Sequence, residues 1–194
     1  MRMAVKLWSG PTHRNKDVDA IDAFFKIGTQ YYIAGRFAAF AWFHPVAGNL
    51  FHHAIEMYLK GALSETKSLC DLRKLSHDLP RVWSSFKNQA NDTALDRFDA
   101  TIADLHDYEE LRYPDSVIVS GMESIIEITR SLISTGVATG GTSVPRYSLC
   151  VQDIDELVSL IFAAASRNPQ AYLRFPNDAA REFLTKDNMV SGLG

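Results

Sequence analysis

The residues of this chain that are able to do chemistry are few and grouped. Within residues 49–61, His52, Glu56 and Lys60 recur every four positions, on one stripe of a helix, with Asn49 and His53 beside it. Further along stand Ser76-His77-Asp78 and Arg112-Tyr113-Pro114-Asp115. A lysine or arginine neutralises phosphate, imidazoles donate hydrogen bonds or shuttle a proton, and a tyrosine ring offers a stacking face. Each residue also has a plainer reading. Glu56 followed by Lys60 is the favourable order for a surface i,i+4 pair, and His77-Asp78 suits a helix start. Arg112 is placed to hold helix carbonyls or Asp115, while Tyr113-Pro114 ends a helix.

Several chemistries are excluded by what the sequence lacks. It has no glycine pattern for a phosphate loop or dinucleotide fold and no G-x-S-x-G elbow. His52 and His53, with Glu56 a turn along, do not make a metal site, because neighbours on a helix point about 100° apart. No HExxH spacing occurs, so neither a metal nor another cofactor is expected. Cys70 and Cys150 stand far apart with no CxxC pair and are expected to be reduced core thiols.

The elements that position these residues are helical. Ala20, Phe24, Ile27, Tyr31, Ala34, Ala38 and Trp42 recur at three and four, giving a helix from Asp17 to near His44-Pro45. Ala47, Leu50, Phe51, Ala54, Ile55, Tyr58, Ala62 and Leu63 form the apolar face of a second helix whose other face is polar. A short third helix begins at residues 76–78 with Leu79, Val82, Trp83 and Phe86 inward, and Pro80 in its first turn. A fourth, after Asn91-Asp92-Thr93, carries Leu95, Phe98, Ile102, Leu105, Tyr108 and Leu111 and stops before Pro114.

Beyond Asp115 the pattern changes. The β-branched run Val117-Ile118-Val119, partial alternation around Ile126 and Ile128, a loop at Gly136, Gly140, Gly141 and Pro145, and alternation over 147–151 favour a β-hairpin insertion around 117–151. Asp153 or Asp155 then caps a strong helix through Ile154, Leu157, Val158, Ile161 and Phe162, ended by Asn168-Pro169. The expected organisation is an arm at 1–16, a mainly α domain at 17–176, and a tail at 177–194 with a short helix over 177–184.

With 194 residues, 46% of them apolar, the chain can bury a core without disulfides. A net charge of −3 and a pI near 6.1 leave no broad basic surface for coating nucleic acid. The N-terminus does not read as a signal peptide, and the apolar stretch at 31–43 is interrupted by Arg36 and shorter than a membrane span. A cytoplasmic protein without a membrane partner is expected.

Three pieces in order resemble the HEPN family: Asn49-Leu50-Phe51-His52-His53-Ala54-Ile55-Glu56-Met57-Tyr58-Leu59-Lys60-Gly61, then Ser76-His77-Asp78-Leu79, then Leu111-Arg112-Tyr113-Pro114-Asp115. They look like that family's HxAIExxLK helix, its gHDL helix start, and the RYPD of the branch that includes the HEPN domain of sacsin. The resemblance implies an up-and-down helical bundle, commonly a two-fold homodimer. It also implies that His52, His53, Glu56, Lys60, His77, Asp78, Arg112 and Tyr113 approach one another as a nucleotide or RNA pocket. Catalytic members carry an arginine followed, after four to six residues, by a histidine. Here Arg73 and His77 have three residues between them, so strong catalysis is not expected. Two alternatives stay open: a homodimeric interaction or accessory module without a nucleotide ligand, and a divergent metal-independent endoribonuclease.

Overall fold

The computed structural model describes residues 16–130, 144–173 and 177–188. The expected arm before Lys16, the loop at Gly136, Gly140 and Gly141, and the end of the tail at 189–194 lie outside the described residues.

The spine is a helical hairpin of α1 (Lys16–Phe40) and α2 (His44–Leu63), which pack along each other. The break falls earlier than the proline implied. Pro45 sits in the first turn of α2, where its missing N–H costs nothing, and the reversal is taken up by Trp42 in a left-handed conformation (φ 62°). The apolar face of α2 is as expected, with Ala47, Phe51, Ala54, Ile55, Tyr58, Ala62 and Leu63 all buried.

In α1 the inward face differs from the expected one. Ile21, Phe25, Thr29, Tyr32, Arg36 and Ala39 point in, whereas Ile27, Tyr31 and Trp42 are exposed. The helix is apolar nearly all round, so periodicity alone did not select a face. The one chosen carries a buried arginine with partners waiting. Arg36 pairs with Asp155 and donates to the carbonyls of Phe183 and Lys186, and Tyr32 donates to the same Asp155.

Three helices follow in the polar connection and beyond. A short α3 (Leu69–Lys74), not expected, is capped by Ser68, whose side chain accepts from the Asp71 amide. It turns Leu72 inward and leaves Cys70 exposed, while Cys150 is half-buried, so Cys70 is no core thiol. Next, α4 (Leu79–Ala90) begins as read, with Asp78 accepting from the Arg81 amide and Leu79, Val82, Trp83 and Phe86 buried. The expected fourth helix is three consecutive pieces: a 3-10 turn (Thr93–Phe98) capped by Asp92, α5 (Asp99–Asp107), and a second 3-10 turn (Tyr108–Arg112). Gly48 sets the position of that last turn. A Cβ there would lie 2.0 Å from the Tyr108 ring, so the ring rests directly on the α2 backbone.

The Val117-Ile118-Val119 run is helical, in α6 (Asp115–Ser120), which Gly121 ends in a left-handed conformation (φ 69°). Strand propensity is a weak preference and gives way here to a proline-led helix start with Asp115 in its first turn. The β insertion is present as β1 (Glu123–Glu127) and β2 (Arg146–Cys150), but they pair in parallel, Glu123 opposite Arg146 and Glu127 opposite Cys150, rather than as a hairpin. Residues 128–145 between them are long enough for the crossover a parallel pair needs.

The chain ends with α7 (Val151–Ala164), α8 (Pro169–Leu173) and α9 (Asp178–Thr185), the last capped by Asn177. Asp155 does not cap α7. It is buried on the far side of the first turn as the counter-ion of Arg36, while Asp153 pairs with Arg130 at the surface. Phe25, Tyr58, Phe162 and Tyr172 pack ring on ring, with centroids 4.8 to 5.6 Å apart, and join α1, α2, α7 and α8. The result is a mainly α fold with a small β insertion, and among the described residues no helix is long and apolar enough to cross a membrane.

Candidate functional site

The polar stripe of α2 is not an outer face. His52, Glu56 and Lys60 are buried, because α4, α5 and the turn at Tyr108–Arg112 close over it. The Glu56 and Lys60 pair is therefore present but internal, with Lys60 Nζ donating to Glu56 Oε1 at 2.6 Å. Lys60 also donates to the Ser76 carbonyl, which Ser76 presents from a left-handed conformation (φ 53°) in the turn between α3 and α4.

The same turn brings His77 to Glu56. Its Nδ1 lies 3.0 Å from Oε2, and more than half of its side chain faces solvent. From α2 itself, one turn before Glu56, His53 places its Nδ1 3.6 Å from Oε2. Arg112, at the end of the 3-10 turn, donates to His53 Nε2 at 2.8 Å and lies 3.4 Å from Glu109. Tyr108 holds that turn in place, its hydroxyl 3.1 Å from Ser124 Oγ on β1, while His44 Nδ1 lies 3.1 Å from the Ser124 carbonyl. The insertion thus braces the segment that carries Arg112.

Electrostatically, Glu56 is the centre. Burial alone would raise its pKa, but His53, Lys60 and His77 turned upon it outweigh the burial and bring it down to about 2. The carboxylate is ionised at any physiological pH, and Lys60 spends its own charge on it. Outside this internal pair lie two imidazoles and one guanidinium.

Five of the eight residues named from sequence come together here: His53, Glu56, Lys60, His77 and Arg112. The other three do not. His52 points the opposite way, its Nδ1 3.0 Å from the Leu105 carbonyl and its ring stacked on His106, and burial lowers its pKa, so the ring stays neutral. Asp78 is used as the cap of α4, and Tyr113 projects into solvent. Sequence reasoning missed Tyr31, whose ring centroid lies 5.3 Å from that of His53, and the roles of the Ser76 carbonyl and Glu109. Tyr31 was discoverable only by knowing which way α1 faces. A backbone carbonyl leaves no mark in a sequence.

No protein-family model matches the chain, and no curated protein or solved structure matches it.

Proposed function

We propose that the chain is a HEPN-type protein that binds a nucleotide or RNA element at the surface formed by His53, His77 and Arg112, without strong catalysis of its own. The observation that carries this reading is the gathering of two imidazoles and a guanidinium above a carboxylate that Lys60 has already neutralised. The guanidinium N–H groups of Arg112, and the outer nitrogen of His77 when it carries a proton, are the donors that suit phosphate oxygens. Tyr31, whose ring lies 5.3 Å from that of His53, and Tyr113, next to Arg112 in the chain, are exposed and offer faces for a base. The ordered motifs at residues 49–61, 76–79 and 111–115 support the family, and a homodimer and a cytoplasmic location belong to the same reading.

Lys60 acts in it by fixing Glu56 rather than by meeting phosphate. Arg112→Ala and His77→Ala are accordingly the informative variants. A thermal-shift screen with nucleotides and short RNAs should raise the melting temperature of the wild type, and each variant should lose that rise. No shift across the panel would refute the proposal and favour an interaction module.

A second reading, the divergent endoribonuclease, is favoured by one contact. Glu56 accepts from His77 Nδ1 and so leaves Nε2 as the basic nitrogen facing solvent, the arrangement of a carboxylate-oriented general base. Cleavage of short RNAs that disappears in His77→Ala would select it.

A further inference from the structure

The two oxygens of Glu56 are used differently. Oε1 accepts from Lys60, His53 Nδ1 lies 3.6 Å from Oε2, and His77 Nδ1 lies against both, 3.1 Å from Oε1 and 3.0 Å from Oε2. One nitrogen or oxygen from each of His53, Glu56 and His77 lies within 4.8 Å of the other two. Bonds of about 2.0 to 2.1 Å in a tetrahedral zinc site put its ligand atoms about 3.3 Å apart. The two distances to Oε2 bracket that value, and only the separation of the two rings has to shrink.

We propose that His53, Glu56 and His77 form a binding site for one divalent ion of the zinc class, with a fourth position open to solvent or ligand. The inference goes beyond the nucleotide reading and does not depend on it. Three features support it. Two ligands come from successive turns of α2 and the third from the turn that leads into α4, so the set is assembled by the fold and not by a mobile loop. Oε1 of Glu56 is held by Lys60, which gives the ligand carboxylate the outer hydrogen bond that metal-binding carboxylates ordinarily have. Two imidazoles with one carboxylate are a donor set suited to zinc, cobalt or nickel rather than to magnesium or calcium, which prefer oxygen.

His52 has no part in this. As its adjacency to His53 required, it faces away, toward the Leu105 carbonyl. The third ligand is instead His77, which is distant in sequence.

Arg112 opposes the ion. It donates to His53 Nε2, which fixes the ring proton on Nδ1, the nitrogen that faces Glu56. A metal on Nδ1 moves that proton to Nε2 and sets it against the Arg112 N–H groups, so the guanidinium has to swing toward Glu109, 3.4 Å away. Removing Arg112 should therefore tighten metal binding, the reverse of its effect on phosphate.

The test uses the full chain, stripped with a chelator and titrated at pH 7.5 with Zn²⁺ by calorimetry and with Co²⁺ by visible absorption. Expected are one ion per chain, the visible absorption of a low-coordinate Co²⁺ site, and Mg²⁺ at millimolar concentration failing to compete. His77→Ala removes a ligand whose side chain is half exposed, so the fold should survive, as circular dichroism will check. Affinity should fall at least about a hundredfold in it, beyond the upper end of the effect of an outer-shell partner. Cys70→Ala, which removes an exposed thiol outside the cluster, serves as the control and should leave the titration unchanged, and Arg112→Ala should bind zinc severalfold more tightly. Absence of saturable zinc binding by the wild type, wild-type affinity in folded His77→Ala, or equal competition by Mg²⁺ would overturn the proposal. Weaker zinc binding in Arg112→Ala would overturn the assignment of His53 Nδ1 as a ligand. A nucleotide response lost in Arg112→Ala while zinc binding persists separates the failure of one reading from that of the other.

Discussion

Replacing Glu56 by glutamine keeps the shape of the site and removes the charge on which it is built, and the size of the effect follows from the surroundings of the carboxylate. The side chain is fully buried, and its pKa falls from an ordinary 4.5 to about 2 on folding, chiefly because His53, Lys60 and His77 overcome the burial penalty. A depressed carboxylate pKa contributes stability that is fully present above the unfolded value and lost as pH falls through the folded one. The gap between 4.5 and about 2 corresponds to about 3 kcal/mol at pH 7. The same relation leaves about 2 kcal/mol of it at pH 3.5. Independently, stranding the buried Lys60 charge should cost about 3 to 5 kcal/mol, a consistent magnitude. In urea, with a denaturant slope of about 2 kcal/mol per molar, Glu56→Gln should unfold roughly 1.5 M earlier than the wild type at pH 7. The difference should narrow on acidification. The double variant Glu56→Gln, Lys60→Met should recover part of the loss, since no unpaired charge is left buried. Coincident unfolding curves at pH 7, or a difference that widens toward pH 3.5, would refute the account of Glu56 as the ionised centre of a buried pair.

Two further perturbations probe the elements that hold the site. Arg36→Ala leaves Asp155 buried without its counter-ion and frees the carbonyls of Phe183 and Lys186, so it should cost about 3 to 5 kcal/mol. Limited proteolysis should then cut near α9 earlier than elsewhere; wild-type stability and cleavage would show that the latch carries no weight. Gly48→Ala drives a methyl group into the Tyr108 ring and should cost about 1 to 3 kcal/mol by denaturant melt, with loss of any ligand response that needs Arg112. A response unchanged at equal stability would mean that Tyr108 does not position Arg112.

How much of this was legible in the sequence depended on whether a feature announces itself locally. The inward face of α2 was legible because its apolar residues occupy one stripe, and the start of α4 because Asp78 and Pro80 are suited to a first turn. The orientation of α1 was not, since Arg36 counts against a core face until Asp155, far away in sequence, is placed beside it. The pairing of β1 with β2 was half legible: the strands announced themselves by alternation, but nothing local to either strand fixes the direction in which they pair. In the site, the i,i+4 spacing correctly paired Glu56 with Lys60 and wrongly left them on the surface, because burial is decided by α4, α5 and the turn at Tyr108–Arg112 closing over α2. His53, Glu56 and His77 illustrate the limit most clearly. Helical geometry rightly separated His52 from His53, yet the residue that completes the group comes from another element.

The charge balance of the cluster sets the terms on which its two proposed ligands compete. Glu56 and Lys60 cancel, and Arg112 lies against Glu109, so with neutral imidazoles the group is close to neutral overall. His106, 3.8 Å from Glu109, adds a third imidazole at the edge. A metal takes the imidazole lone pairs of His53 and His77, whereas a phosphate takes hydrogen bonds donated from the same surface, so the two ligands make opposite demands on the same rings. Arg112 aids the second and opposes the first, because it donates to His53 Nε2. Arg112→Ala should therefore weaken a phosphate ligand and strengthen zinc. A change of the same sign for both would mean that they do not share His53 and His77.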